Sequence, residues 1–267
     1  MRLLIDETFA TTTYTHPITT GDISPPAGLE VALVPRLAPD AVGAEDAALI
    51  ASPAALFLQN SHVIVPEIAV IAQDTGAAAM RVPVRPDEIE STPVRLLDTS
   101  LLAEWLARAL LRRFYGIEVT AWIRDGNDPA VAQAEVVIVE GAEALREPEG
   151  GFSEDLVRAW YILHNQFVVT HLLLLPQDAS PEHAEQVIAF LAAAREAGLA
   201  SRREWRPALG EQEGIVSARA GAFWSAQELW LADDDRDSLL LLLNEGRWGT
   251  SAPPPANVTF REGAAAT

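Results

Sequence analysis

Cysteine is absent from all 267 residues. That excludes disulfides, thiolate nucleophiles and Cys-ligated metals. Lysine is absent too, since all 19 basic residues are arginine. No Schiff base, lysine-held pyridoxal phosphate or complete Walker A loop can form without it. Positive charge is scarce: 19 arginines face 38 carboxylates, for a formal net charge of −19. Nucleic-acid binding needs clustered cations to neutralise phosphates, so no nucleic-acid partner is expected. No apolar run reaches the roughly 18 residues of a membrane span. The opening Met-Arg-Leu-Leu-Ile-Asp-Glu lacks the uninterrupted apolar stretch of a secretory leader. The expectation is a cytoplasmic protein with no membrane partner. A homodimer is compatible with this composition.

What is present is a chain that can fold around real cores, with 49% hydrophobic residues. Apolar stretches at 2–5, 29–34, 63–72, 77–84, 94–98, 119–123, 136–139 and 167–175 read as strands. Pro66 is expected to break or edge the 63–72 stretch. Between them lie helical patterns. Leu101, Leu102, Trp105, Leu106, Ala109, Leu110 and Phe114 recur at three- and four-residue spacing behind the cap residues Asp98, Thr99 and Ser100. Ser153 opens a helix to about His164. Ser180-Pro181 opens another, which Gly198 is expected to stop. A last helix spans Asp233 to Leu243, and the Ala-rich end reads as a loose tail. Strands alternating with helices imply a mainly parallel α/β architecture, with ligands bound beyond the carboxyl ends of the strands. No repeat or linker divides the chain. Two lobes must then be joined by crossing strands, for which Val94–Leu97 and Thr170–Leu175 are the candidates.

Four stretches resemble one family. Gly43-Ala-Glu-Asp-Ala-Ala-Leu-Ile-Ala-Ser52 followed by Val63-Ile-Val-Pro-Glu-Ile-Ala-Val70 is the first. Leu97-Asp-Thr-Ser100 opening a helix is the second. Val136-Val-Ile-Val-Glu-Gly-Ala-Glu-Ala-Leu145 is the third. Asp155-Leu156 with Trp160 and then Phe167-Val168 is the fourth. In this order, across residues 29–175, they resemble the menaquinone-biosynthesis proteins of the futalosine pathway, which include chorismate dehydratase. The resemblance implies an α/β periplasmic-binding-protein type II fold with two lobes, two crossing hinge strands and a ligand cleft. It also implies a carbon–oxygen lyase acting on a small carboxylate, with no cofactor. Lobe one is expected at 1–94 plus 175–267, and an inserted lobe two at 95–174. The chain departs from the family pattern three times. The family's Gly-Leu-Pro before Phe-Val reads Asn165-Gln166 here. The family's Asn-x-x-Pro stretch reads Tyr14-Thr-His-Pro17 here, and its Ser-Arg-Thr-Ser reads Leu101-Leu-Ala-Glu104. A non-catalytic solute-binding or sensory protein on the same fold is the alternative.

The candidate site follows from strand ends and residue chemistry. His16 and Asp98 are the candidate proton-transfer groups, because an imidazole or carboxylate can work near neutral pH. Thr13, Tyr14 and Thr15 would supply hydroxyls from the first strand–helix turn. Ser52, Thr99 and Ser100 would anchor a carboxylate, the last two at a helix start. Thr170 and His171 lie on an expected crossing strand. His164 and His171 give no third ligand at metal spacing, so no metal is expected. Glu140, before Gly141 at a strand end, is either a cleft group or a loop carboxylate. Trp205, Trp224, Trp230 and Trp248 are expected to pack together in a core, with an exposed contact surface as the alternative.

Overall fold

A computed structural model describes residues 1–124 and 126–261; the Ala-rich end lies outside the described residues. Eleven strands are described: β1 (Arg2–Asp6), β2 (Glu30–Val34), β3 (Ala47–Ala51), β4 (His62–Ala72), β5 (Ala78–Val82), β6 (Ser91–Leu96), β7 (Glu118–Ile123), β8 (Val136–Glu140), β9 (Phe152–Asp155), β10 (Val168–Pro176) and β11 (Gln227–Glu228). The α-helices are α1 (Thr12–Thr19), α2 (Ala55–Leu58), α3 (Leu101–Leu110), α4 (Ala142–Leu145), α5 (Leu156–His164), α6 (Pro181–Ala200), α7 (Arg202–Gln212), α8 (Ser217–Ser225) and α9 (Asp233–Gly246).

The strands form two sheets. The first has the order β11-β4-β10-β3-β1-β2, and the second β7-β6-β8-β5-β9. In the first, β1 pairs in parallel with β2 and β3, while β10 runs antiparallel between β3 and β4. All nine residues of β10 are buried, as a central strand covered on both faces requires. Successive side chains of β1 alternate between two cores. Leu3 and Ile5 join Tyr14, Val187 and Leu191 under α1 and α6, whereas Leu4 points toward the side of α3 and α9. Pro66 does not divide β4. It sits in an irregularity where the register against β10 jumps from Leu172↔Ala69 to Leu173↔Val65, so no ladder bond is asked of its missing N–H.

The sheets exchange chain earlier than the expected crossing strands. Val94–Leu97 is not a crossing strand: β6 is an inner strand, parallel to both β7 and β8. The chain leaves the first sheet after Ala72 and joins the second at Ala78, because β5 pairs antiparallel with β8 and β9. It returns between His164 and Val168, so Thr170–Leu175 lies wholly in the first sheet. At the outward crossing Gly76 touches Val157, whose Cγ2 would be 2.2 Å from an added Cβ.

The helix starts follow their caps. Ser100 accepts from Leu102 N, Asp155 from Val157 N and Arg158 N, and Ser180 from His183 N. Gly198 does not end α6, which runs on to Ala200. The glycine is needed for packing instead, since a Cβ there would lie 2.0 Å from the Thr13 carbonyl oxygen of α1. The Thr-rich stretch after β1 is also helical rather than an open turn.

One apolar cluster joins the two sheets. It holds Leu4 and Ile50 of the first, Met80, Val94 and Ile138 of the second, and Trp105, Leu106, Leu239 and Leu243 between them. Trp105 of α3 lies against Gly246 of α9 and donates from its indole N–H to the Leu243 carbonyl at 3.5 Å. His164 of α5 approaches Glu245 of α9 at 3.2 Å. The late tryptophans divide. Trp205 and Trp224 pack edge to face at 5.0 Å in a third core, while Trp230 and Trp248 are exposed.

Acid sensitivity follows from His62. It is buried, its Nε2–H donates to the Asp46 carbonyl at 2.9 Å, and Ser61 Oγ lies 2.8 Å from its Nδ1. Burial lowers its pKa below the ordinary value. The unfolded chain therefore takes up this proton more readily, and the stability is present above about pH 6.5 and lost as pH falls below it. The thermal midpoint is expected to drop between pH 7 and 5, with a shallower drop in His62→Gln.

Candidate functional site

The carboxyl ends of β1, β6 and β8 converge on one cleft of about 930 Å³. This is the position that parallel sheet geometry assigns to ligands. Its walls include Glu7, Thr8 and Phe9 after β1, Leu97 and Asp98 after β6, and Glu140 and Gly141 at the end of β8. An inner recess continues it past Thr8 and Glu140 to Thr170, His171, Phe223 and Gln227. Phe9 faces Phe223 and Trp224 at centroid distances of 5.4 and 4.7 Å, which makes that wall aromatic and anchored. Gly141 has φ +68°, a left-handed conformation that glycine adopts without strain.

Three titratable groups meet at the floor. Asp6 is fully buried. Its Oδ1 accepts from Leu37 N at 2.9 Å, and its Oδ2 lies 3.6 Å from His171 Nε2 with no hydrogen bond of its own. Thr8 Oγ1 lies 3.3 Å from the same Nε2. On the other ring edge Nδ1 is 3.1 Å from Thr170 Oγ1, whose hydroxyl donates to the Val70 carbonyl at 2.9 Å. Thr170 having spent its hydrogen, Nδ1 carries a proton and donates to it, which turns Nε2 toward Asp6 and Thr8. Glu140 accepts from Ser100 N at 2.5 Å and from Ser100 Oγ at 2.8 Å. Burial pushes its carboxyl above the ordinary range and nearby Asp6 adds to this. The bonds from Ser100 and the charge of His171 oppose the rise. A carboxyl with a raised pKa is better able to serve as a general acid.

The cleft also carries four arginines, Arg36, Arg95, Arg124 and Arg146. Arg36 pairs with Asp98, Arg124 with Glu104, and Arg146 with Glu143 and Glu213. Among the described residues Arg95 alone of the four has no carboxylate partner and no hydrogen bond.

The expected site residues divide. Asp98 lines the cleft mouth, left-handed at φ 58° and exposed. Thr170 and His171 line its recess, Ser100 lies behind Glu140 and donates to it, and the Thr99 hydroxyl is buried without a partner among the described residues. His16 is not in the cleft; it stacks on Trp205 at 5.4 Å on the outer side of α1. Tyr14 is a core residue whose hydroxyl meets the Ala69 and Leu229 carbonyls, each at 3.0 Å. Thr13 and Thr15 are buried in the same helix and line neither the cleft nor its recess. Ser52 does not anchor a ligand either, because its hydroxyl is spent on the Val169 carbonyl at 2.6 Å. The first βα turn is instead represented by Asp6 to Phe9, just before the helix that the threonines build. Glu140 was visible as a strand-end carboxylate before glycine; Asp6, Glu7 and the arginines carried no local signal.

Among the described residues no group of three or more His, Asp or Glu is arranged to hold a metal, and no helix is long and apolar enough to cross a membrane.

Comparison with known proteins fits this arrangement. A structural-genomics target from Archaeoglobus fulgidus superposes with TM-score 0.64 at 14% identity, over 92% of this chain and 96% of that one. The alkanesulfonate-binding protein SsuA of Xanthomonas axonopodis pv. citri, solved with MOPS, superposes with TM-score 0.65 at 12% identity, over 98% of both chains. A Candida albicans protein described as having the generic periplasmic binding protein fold gives 0.55 at 10%, over 92% and 88%. At these identities the likeness establishes the fold, a periplasmic-binding-protein-like one. A search of curated proteins gives no match. The sequence profile described as menaquinone biosynthesis matches residues 34–247, most of the chain and all four stretches quoted above, and this chain belongs to that menaquinone-biosynthesis family.

Proposed function

We propose that this chain is a dehydratase of the futalosine route to menaquinone, acting on chorismate or a closely related small carboxylate in the cleft. The lobes that close on it are drawn from the sheets: 1–72 with 168–261, and 78–164. The observation that carries the reading is Arg95, a guanidinium in the cleft wall with no carboxylate partner among the described residues. A carboxylate would ordinarily be sought at the start of α3, where free N–H groups and the helix dipole attract anions. Here Glu140 already occupies that start through Ser100. The ligand's carboxylate is therefore assigned to Arg95, in a charge-assisted pair.

The reaction removes one ring proton and the ring hydroxyl as water, and aromatisation drives it. Glu140, whose carboxyl burial pushes above the ordinary range, is the group suited to protonate the hydroxyl, which leaves more readily as water. His171, held by Thr170 and backed by Asp6, suits the departing proton. Phe9, Phe223 and Trp224 keep bulk water from the ring. Cytoplasmic location accords with such a step in biosynthesis. One observation favours non-catalytic binding instead. Glu104, at the family's Ser-Arg-Thr-Ser stretch, is bound up with Arg108 and Arg124 and has no group free for a ligand.

The test is incubation of the purified chain with chorismate, following loss of its diene absorbance. Turnover is expected. Arg95→Gln is expected to cut kcat/KM by about tenfold or more, the value of one charge-assisted bond of roughly 1.5–3 kcal/mol. No turnover, together with a thermal shift by some other carboxylate, overturns the enzyme in favour of a binding protein.

A further inference from the structure

Away from the cleft, one place where positive charge gathers on this strongly acidic chain is lined by two hollows. They adjoin, have volumes of about 730 and 520 Å³, and share Arg113, Glu245, Trp248 and Gly249. Arg108, Arg112, Arg113 and Arg247 line them, against only Glu118 and Glu245, and Glu245 is already paired with Arg113. The local balance is the reverse of the net −19.

The larger hollow has two indole walls, organised by one guanidinium. Arg108 lies over the Trp122 ring at 4.2 Å and also reaches the Trp248 carbonyl at 3.4 Å. Its charge is balanced by Glu104, so it acts as a brace. Gly249, at φ +70°, passes close to the same guanidinium: an added Cβ would lie 3.6 Å from Arg108 Nη1. Trp248 is 79% exposed, a large apolar face left in water. Arg112 lies one turn beyond Arg108 on the same face, and among the described residues it has no partner. Two indoles in the lining and a free cation at the edge are complementary to a flat ring bearing a negative charge. The hollow is concave and within the size range of small-molecule sites, which favours such a ligand over the broad face of an acidic protein.

We propose that Trp122, Trp248 and Arg112 form a second binding site, separate from the cleft, for a planar aromatic carboxylate. Arg112 pairs with its carboxylate and the indoles hold its ring. The site does not depend on the chemistry assigned to the cleft.

The test uses benzoate and the full chain carrying Arg95→Gln, which removes the free guanidinium of the cleft. Saturation-transfer NMR gives the affinities, with cyclohexanecarboxylate as a control of equal charge and no aromatic face. Benzoate is expected to bind the Arg95→Gln chain, and the control to bind several-fold more weakly. Adding Arg112→Gln is expected to weaken benzoate by about tenfold, as is adding Trp248→Ala, with thermal midpoints unchanged. Equal binding of benzoate and the control, or benzoate affinity unmoved by Arg112→Gln, overturns the proposal. So does sedimentation showing a dimer that Arg112→Gln dissolves, because the groove would then hold a second copy.

Discussion

Glu140→Gln is expected to lower chorismate turnover by about 10²–10⁴-fold while leaving the protein at least as stable as before. The two halves of this result have one cause. Burial raises the Glu140 pKa, so its ionised form is less favourable in the folded protein than in water. For such a group the folded chain holds the proton more tightly than the unfolded one. Its contribution is complete below the unfolded pKa, near 4.3, and is lost as pH rises through the higher folded value. Glutamine removes that cost and keeps an oxygen to accept from Ser100. It cannot give a proton to a leaving hydroxyl. The measurement is kcat beside the thermal midpoint at neutral pH. A variant that turns over normally would show that Glu140 only caps α3. One that unfolds readily would show that its bonds to Ser100 outweigh its burial.

The largest effect on stability is expected at the seam between α3 and α9. Trp105→Ala should cost about 3–5 kcal/mol in urea unfolding, the range for deleting a large buried aromatic side chain. Trp105 is 1% exposed and fills the space beside Gly246 so closely that a Cβ there would lie 1.9 Å from its ring. Gly246→Val, which overfills the same contact, should cost on the order of 1–3 kcal/mol. Because residues of both sheets share this cluster, the loss should appear as one cooperative transition at lower urea. A cost for Trp105→Ala under about 1 kcal/mol would mean that the two sheets are joined by their crossing segments alone.

The resemblance was enough to reach the family and the fold. The alternation of strands with helices pointed to mainly parallel sheets, whereas both sheets are mixed, with β10 and β5 antiparallel to their neighbours. The cap at Ser100 before the apolar stripe of α3 and the run of nine buried residues in β10 are local signals, and both elements formed where they pointed. Predicting the site was harder. Thr170 and His171, expected on a crossing strand, lie beside the recess, and Ser100, expected at a helix start, bonds the Glu140 that lines it. His16, Thr13, Tyr14, Thr15 and Ser52 were polar residues near strand ends, but their partners were distant carbonyls and rings that no neighbouring residue announces.

By itself the sequence determined most of the strands and the helices α3, α6 and α9, because propensity, capping and hydrophobic period act within about one turn or one pleat, while α1, α7 and α8 carried no such period. It also determined the chemistry available: arginine as the sole basic residue besides histidine, abundant carboxylates, no thiol and no amine side chain. Only the tertiary structure decided which of these groups meet. Glu140 reaches Ser100 across 40 residues, and Thr8 reaches His171 across 163. Those distances are closed by strand order, which puts the carboxyl ends of β1, β6 and β8 around one space. The same packing chose which charges remain free. Three cleft arginines found carboxylates, and among the described residues Arg95 did not, a result of side-chain geometry that composition cannot express.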